Sequence, residues 1–159
     1  MPGESVGKAL DWRRSLPFGP HRVPMASIPT EFQDLFEKET LAHVATMLPN
    51  GLPHVTPVWI DYDPEREHVL FNTARGRRKE RNVQANPAVG VSMCDPDDPY
   101  RYCSAWGTVV EITEEGAVEH IDELARRYMD VEEYPNKGAE EGARVIVRIE
   151  PDEVVTGGE

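Results

Sequence analysis

A run of cationic side chains interrupts a chain that is otherwise strongly acidic. Among the seven residues 75–81 are Arg75, Arg77, Arg78, Lys79 and Arg81, whereas the 159 residues together carry 29 acidic and 17 basic side chains. Like charges four positions apart on a helix repel, at a cost of ~0.3 kcal/mol per pair, unless an anion offsets them. Guanidinium and ammonium groups bind phosphate, so residues 75–81, the basic segment, are a candidate phosphate site. The plainer alternative is a solvated helix face that balances the acidic surface.

The residues around the basic segment predict a junction between a strand and a helix. Asn72 and Thr73 end a strand-like run. Gly76 can adopt a positive φ angle, and Arg77 begins a series of good helix formers. A helix N-terminus presents unpaired backbone N–H groups and a partial positive charge, which favour an anion. The predicted backbone and the side chains therefore indicate the same kind of ligand.

No set of side chains in the sequence would carry out chemistry unaided. No Ser/His/Asp set, pair of carboxylates or activated cysteine emerges, so the catalytic residue stays unassigned. The five histidines and two cysteines lack metal-ligand spacing, and we predict no metal site. Cys94 and Cys103 are predicted to be small buried hydrophobic residues. An enzyme with this sequence therefore needs a cofactor to carry the reaction.

Six segments have the composition and alternation of β-strands, and short turns connect most of them. The strands are predicted at 41–47, 54–62, 68–73, 88–94, 104–113 and 144–155. Helices are predicted at 30–39, with Thr30 and Gln33 as a capping box, at 77–85, and at 116–129, with Val118 on its apolar face. This order predicts a mainly β (α+β) protein, a small antiparallel barrel with peripheral helices.

Length and charge limit the domain organisation and the partners. The chain fits one domain. Residues 1–24 have no hydrophobic period, and we expect them to be a flexible N-terminal extension of the folded part 25–159. A formal charge of −12 argues against nucleic acid and anionic membranes as partners. No apolar run approaches the ~20 residues of a membrane-spanning helix, and no signal-peptide core is present. We expect a soluble, cytoplasmic protein.

Several ordered motifs carry a resemblance to a known family. The segments are GLPHVTPVWIDYD, VLFNTARGRRKERNVQANPAVGVSM, DPDDPYRYCSAWGTVVEIT, HIDELARRYM and RVIVRI, and the likeness around them spans roughly residues 32–154. In order and spacing they resemble the pyridoxamine 5′-phosphate oxidase-like split β-barrel superfamily, and within it the branch of probable coenzyme F-420-dependent enzymes. The resemblance implies a six-stranded antiparallel split β-barrel. It also implies a homodimer with a flavin or deazaflavin cofactor at the subunit interface.

The resemblance further implies which residues hold the cofactor. Thr56, Pro57 and Val58 would line the isoalloxazine or deazaflavin ring. Asn72, Thr73 and Ala74 would contact the ribityl and phosphate region. The residues that match the phosphate-binding segment are Arg75, Gly76, Lys79, Arg81 and Asn82. Tyr100, Arg101 and Trp106 would approach from the dimer mate or from the substrate side.

The resemblance favours one function and leaves two alternatives. The chain ends at VVTGGE, without the Arg- and Trp-containing segment with which pyridoxamine 5′-phosphate oxidases bind their substrate, so oxidation of vitamin B6 is not expected. We expect an F-420-dependent reductase that transfers a hydride between the coenzyme and a small organic substrate, which the sequence does not identify. An FMN-binding oxidoreductase and a non-catalytic F-420 carrier would share the same residues.

Overall fold

Six antiparallel strands close into a barrel in the computed structural model, which describes residues 26–137 and 141–158. The strands are β1 (Leu41–Met47), β2 (Pro53–Asp63), β3 (His68–Ala74), β4 (Ala88–Cys94), β5 (Tyr102–Thr113) and β6 (Arg144–Gly157). They pair in the order β1-β2-β3-β6-β5-β4, and β4 pairs back to β1. The predicted fold class, a mainly β six-stranded antiparallel barrel with helices, is confirmed.

Within the described residues, three helices lie around the barrel: a 3₁₀ helix at Thr30–Phe36, α1 at Arg78–Ala85 and α2 at Ala117–Met129. The first helix is shorter and tighter than predicted. Its N-cap is Pro29, and Gln33 donates to the Ile28 carbonyl oxygen at 3.1 Å, so the predicted capping box is absent. In α2, Val118 was predicted on the apolar face but is exposed to solvent, whereas the polar residue His120 is buried. None of the described helices combines the length and apolar character needed to span a membrane.

The core fills the barrel interior, because alternate residues of each strand point inward. Val44, Ile60, Val69 and Phe71 are fully buried there. The 3₁₀ helix adds Phe32, Leu35 and Phe36, each at most 2% exposed, to the same cluster. Burial of one such side chain contributes about 1.5–3 kcal/mol to folding. The predicted extension 1–24 lies outside the described residues.

Strands β2 and β3 separate partway along their length. Residues 60–63 pair with 68–71, and beyond them the ladder between these two strands stops. Among the described strands, the first half of β2 then pairs only with β1, and the second half of β3 pairs only with β6. The barrel is therefore split between the segment that contains Thr56 and the end of β3, from which the basic segment and α1 follow.

Candidate functional site

The basic segment begins in a tight turn directly after β3. The Arg77 N–H donates to the Ala74 carbonyl oxygen at 3.2 Å, and Gly76 has a φ angle of +84°. A positive φ at the third residue is what a type II turn requires, and glycine adopts it without steric cost. The Arg75 N–H donates to the Ala143 carbonyl oxygen at 2.8 Å, which ties the turn to the start of β6. The predicted strand-to-helix junction is present.

Helix α1 presents unpaired backbone donors immediately after this turn. Its first intrahelical bond runs from the Arg81 N–H to the Arg77 carbonyl oxygen at 3.0 Å. The N-cap Arg77 supplies no side-chain acceptor. The N–H groups of residues 78, 79 and 80 therefore have no intrahelical partner, as at every helix start. They form a set of donors at the positive end of the helix dipole, which suits an anion.

Lys79 is the cation of the basic segment that most clearly lacks a counter-ion. Its side chain is half-buried, and it forms no hydrogen bond or ion pair within residues 26–137 and 141–158. Burial and the neighbouring Arg77 charge lower the pKa of its ammonium group. Arg78 and Arg81 are exposed and likewise have no ion-pair partner in the described part of the chain. A partly desolvated cation without a partner is stabilised when an anion binds beside it.

Arg75 differs from the other cations because two carboxylates already pair with it. Its Nη1 donates to Glu80 Oε1 at 3.2 Å, and its Nε donates to Glu114 Oε1 at 3.3 Å. These contacts raise the pKa of the guanidinium group. Glu80 is only 3% exposed, and it is not among the site residues predicted from the sequence. Its one sequence signal is that it is the acidic residue inside a run of cations.

Buried polar atoms without partners lie between α1 and the β1–β2 hairpin. Asn82 is 2% exposed; its Nδ2 donates to Thr46 Oγ1 at 3.0 Å, and its Oδ1 has no partner among residues 26–137 and 141–158. On β2, Thr56 Oγ1 and His54 Nδ1 are also buried without a partner in the described structure. Leaving a buried polar group unpaired costs about 1–3 kcal/mol, so such atoms mark a position where a ligand or water completes the bonding.

The other predicted ring and ribityl residues divide between the inner and outer faces of the barrel. Val58 belongs to the core at 9% exposure, and Pro57 is exposed on the outer face, opposite His43 of β1. Thr73 and Ala74 are each 2% exposed. Among these residues, only Pro57 offers a freely accessible side chain.

Asn72 is held by contacts within the fold. Its Nδ2 donates to the Ala117 carbonyl oxygen at 2.9 Å and to His120 Nδ1 at 3.1 Å. Its Oδ1 accepts a hydrogen bond from Arg144 Nε at 2.8 Å. The other nitrogen of the His120 imidazole ring, Nε2, lies 3.1 Å from Asp61 Oδ2. The Asn72 side chain therefore joins α2 to the barrel, with both of its N–H donors and its amide oxygen engaged within the fold.

Tyr100, Arg101 and Trp106 lie apart from the basic segment within one chain. Arg101 binds both Asp34 and Asp95 at 2.7 Å, and its guanidinium group lies over the Phe32 ring. Tyr100 is 84% exposed on the β4–β5 loop. Trp106 is 43% exposed on the outer face of β5, with β1 and β4 between it and β2. The structure thus gathers the predicted phosphate-binding residues but not these three.

Comparisons with known proteins agree with this architecture. The family model described as pyridoxamine 5′-phosphate oxidase matches residues 28–156. A solved structure described as an F-420 reductase is 34% identical, with a TM-score of 0.68, and the alignment covers 80% of this chain and 98% of that one. No curated protein matches.

Two further solved structures share the fold. A conserved hypothetical protein from Mycobacterium tuberculosis is 22% identical, with a TM-score of 0.65, over 84% of this chain and 86% of that one. The HupZ protein of Group A Streptococcus is 21% identical, with a TM-score of 0.58, over 81% of this chain and 93% of that one. The match to the family model spans the whole barrel from the 3₁₀ helix to β6. The chain therefore belongs to the pyridoxamine 5′-phosphate oxidase family of split-barrel proteins.

Proposed function

We propose that this protein is an oxidoreductase that uses coenzyme F-420 to transfer a hydride to or from a small organic substrate. The similarity to the protein described as an F-420 reductase supports the choice of coenzyme. The observation that carries the proposal is the half-buried Lys79, which has no partner in the described part of the chain, next to the N–H groups that begin α1. This arrangement suits the phosphate that such a coenzyme carries.

The residues present fit a phosphorylated coenzyme. Lys79 and the N–H groups of residues 78–80 would hold the first phosphate, and the exposed Arg78 and Arg81 would contact a longer anionic tail. The unpaired hydroxyl of Thr56 and the unpaired amide oxygen of Asn82 offer hydrogen bonds nearer to the ring. When bound, the coenzyme supplies the hydride chemistry. The chain itself contributes binding, orientation and a partly dry environment, and no general acid or base is assigned.

We further propose that the active unit is a homodimer. The outer face of the barrel exposes Leu41 at 54%, Val55 at 56% and Trp106 at 43%. Large apolar side chains exposed together on one sheet face favour association with another protein surface. A second copy on this face would also account for Tyr100 and Trp106, which are exposed and lie away from the basic segment in a single chain. In this arrangement each cofactor site is completed by its partner.

Binding measurements on the whole chain test the coenzyme assignment. Titration with F-420 and with FMN is expected to give tighter binding of F-420, because its additional anionic groups can contact exposed arginines beyond the first phosphate. Higher salt should weaken that binding, since exposed charges are screened. If FMN copurifies with the protein and binds more tightly than F-420, the cofactor is a flavin and the assignment of a deazaflavin is wrong. Binding without turnover on a panel of substrates would instead indicate a carrier.

Substitution of the cations tests the site itself. Lys79→Ala and Arg81→Ala are each expected to weaken F-420 binding by roughly 1.5–3 kcal/mol, the range for hydrogen bonds to charged groups. The effect should be larger for Lys79, because its charge is partly removed from water. Arg66→Ala is the matched control, since Arg66 is exposed in the turn that precedes β3, at the opposite end of that strand from the basic segment. Coenzyme fluorescence gives the affinities, and unchanged binding by the Lys79/Arg81 double variant would refute the site.

A further inference from the structure

A buried carboxylate lies inside the basic segment. Glu80 is 3% exposed and is the third residue of α1, close to the N–H groups proposed to bind phosphate. A negative charge at this position repels a bound anion. Electrostatics alone would therefore disfavour Glu80 at a phosphate site, and its contacts explain what it does there.

Glu80 holds both central residues of the 74–77 turn. Its Oε2 accepts a hydrogen bond from the Gly76 N–H at 3.1 Å. Its Oε1 accepts a hydrogen bond from Arg75 Nη1 at 3.2 Å, and the Gln84 side chain donates to the same oxygen from one turn further along α1. A glutamate at the third helical position that reaches back to an earlier backbone N–H acts as in a capping box. Here it also fixes the preceding turn.

These contacts decide which donors of the basic segment are free. The Gly76 N–H and the Arg75 guanidinium group are both directed toward the Glu80 carboxylate. The N–H groups of residues 78–80 and the Lys79 ammonium group are left for a ligand. The turn is thereby held in one orientation relative to α1 before any anion arrives. Preorganised donors bind an anion without the entropic cost of ordering them.

We propose that Glu80 is a positioning residue for phosphate binding. Its carboxylate fixes the turn so that the start of α1 and Lys79 face the anion together. This role rests on the proposed function of the basic segment. It predicts that removing Glu80 weakens binding of the phosphorylated coenzyme, although the substitution also removes a repelling negative charge. Plain electrostatics predicts the opposite sign.

The test compares Glu80→Ala with Glu114→Ala in the full chain. Glu114 pairs with the same Arg75 at 3.3 Å but has no contact with Gly76, and its side chain is 58% exposed. Both substitutions remove one negative charge next to Arg75. With F-420 as the probe, Glu80→Ala should bind at least about 10-fold more weakly, whereas Glu114→Ala should stay within about 2-fold of wild type or bind more tightly. Equal or tighter binding by Glu80→Ala would overturn the positioning role.

A conservative variant separates positioning from general loss of structure. Glu80→Gln keeps an oxygen that can accept the Gly76 N–H, so it should recover most of the affinity lost in Glu80→Ala. The amide resonance of Gly76 should shift in the alanine variant and stay near its wild-type position in the glutamine variant. If Glu80→Gln restores neither signal nor affinity, the proposal fails even if the alanine variant is poorly folded.

The same measurements separate this proposal from the proposed function. If Lys79→Ala loses affinity and Glu80→Ala does not, the phosphate site stands and only the role of Glu80 is wrong. If wild type and Lys79→Ala bind F-420 equally, the site itself is wrong, and the positioning role falls with it.

Discussion

The cationic residues of the basic segment have different roles because their surroundings differ. Arg75 is neutralised by Glu80 and Glu114, while Lys79 is half-buried without a partner in the described structure. A formal count of charges in the sequence treats both as equal. Desolvation and pairing determine how strongly each cation attracts an anion. Lys79 is therefore the residue on which the proposed site most depends.

The lowered pKa of Lys79 predicts a pH dependence of coenzyme binding. Burial, followed by the Arg77 charge, lowers this pKa below its ordinary value of 10.5. Only the protonated form attracts the phosphate, so affinity should fall as the pH rises through the lowered pKa, at a less alkaline pH than for an exposed lysine. Lys79→Arg stays charged throughout and should not show this fall.

To test this, the affinity for F-420 is measured between pH 7 and 10 for the wild-type protein and for Lys79→Arg. Ionisation of the coenzyme affects both affinities equally, so it does not change their ratio. A ratio that does not change with pH would contradict the role of the Lys79 charge.

At the scale of elements, ion pairs join the 3₁₀ helix to the β4–β5 loop. Asp95 accepts hydrogen bonds from Lys38 at 3.0 Å and from Arg101 at 2.7 Å, and its side chain is 4% exposed. Arg101 also binds Asp34 of the 3₁₀ helix at 2.7 Å. The loop that presents Tyr100 is therefore fixed to the helix that closes the core. Arg101 supports that loop, and this is the role its contacts in a single chain indicate.

Asp95→Asn is expected to lower stability and to change its acid dependence. Burial raises the pKa of Asp95, but the Asp97 N–H and the Lys38 and Arg101 cations outweigh it and lower the pKa to about 2. A lowered folded-state pKa contributes stability above the unfolded value of 3.8, and this contribution is lost as the pH falls toward 2. The variant should lose about 1–2 kcal/mol at pH 7 and show less further loss in that acid range.

Denaturant unfolding at several pH values checks this expectation. Asp97→Asn is the control, because Asp97 pairs with the same Lys38 at 3.0 Å while its side chain is 79% exposed. The control should change stability by less than about 0.5 kcal/mol. Equal effects of the two substitutions would show that burial of the Asp95 pair has no special importance.

At the scale of the whole molecule, the exposed outer face predicts association of two chains. Light scattering should give twice the chain mass of 17.9 kDa. Val55→Glu puts a charge on this face and should produce a monomer with weaker F-420 binding, because the proposed site needs both copies. Val118→Glu is the matched control, since Val118 is 45% exposed on α2, away from this face. A wild-type monomer at micromolar concentration would refute the shared site.

Removal of residues 1–24 is expected to leave the barrel intact. The Ala26 N–H donates to the Pro151 carbonyl oxygen at 3.1 Å, and a chain that starts at Met25 keeps this contact with β6. Residues 1–24 themselves lack the hydrophobic pattern of a core element. The thermal midpoint of the shortened chain should match that of the full chain within a few degrees. A large decrease would show that the removed segment packs against the domain.

The sequence by itself determined the strands, the turns and the location of the basic segment. β1 and β4 have the predicted bounds, and Gly76 adopts the predicted positive φ angle. These features depend on alternation and backbone preference, which act between residues near in sequence. The first helix was predicted less well, because the Thr30 capping pattern gave way to contacts of Phe32, Leu35 and Phe36 with the core.

Only the tertiary structure decided which of the predicted site residues are available to a ligand. Arg101 meets Asp34 from 67 positions away, and Asn72 meets His120 from 48 positions away, so both side chains are occupied within the fold. Pairing of Arg75 with Glu114 spans 39 positions. Such contacts form only when the closing barrel brings distant segments together, and no local pattern encodes them. Lys79 keeps its charge available for the same reason: the fold buries part of its side chain and brings no carboxylate of the described chain to it.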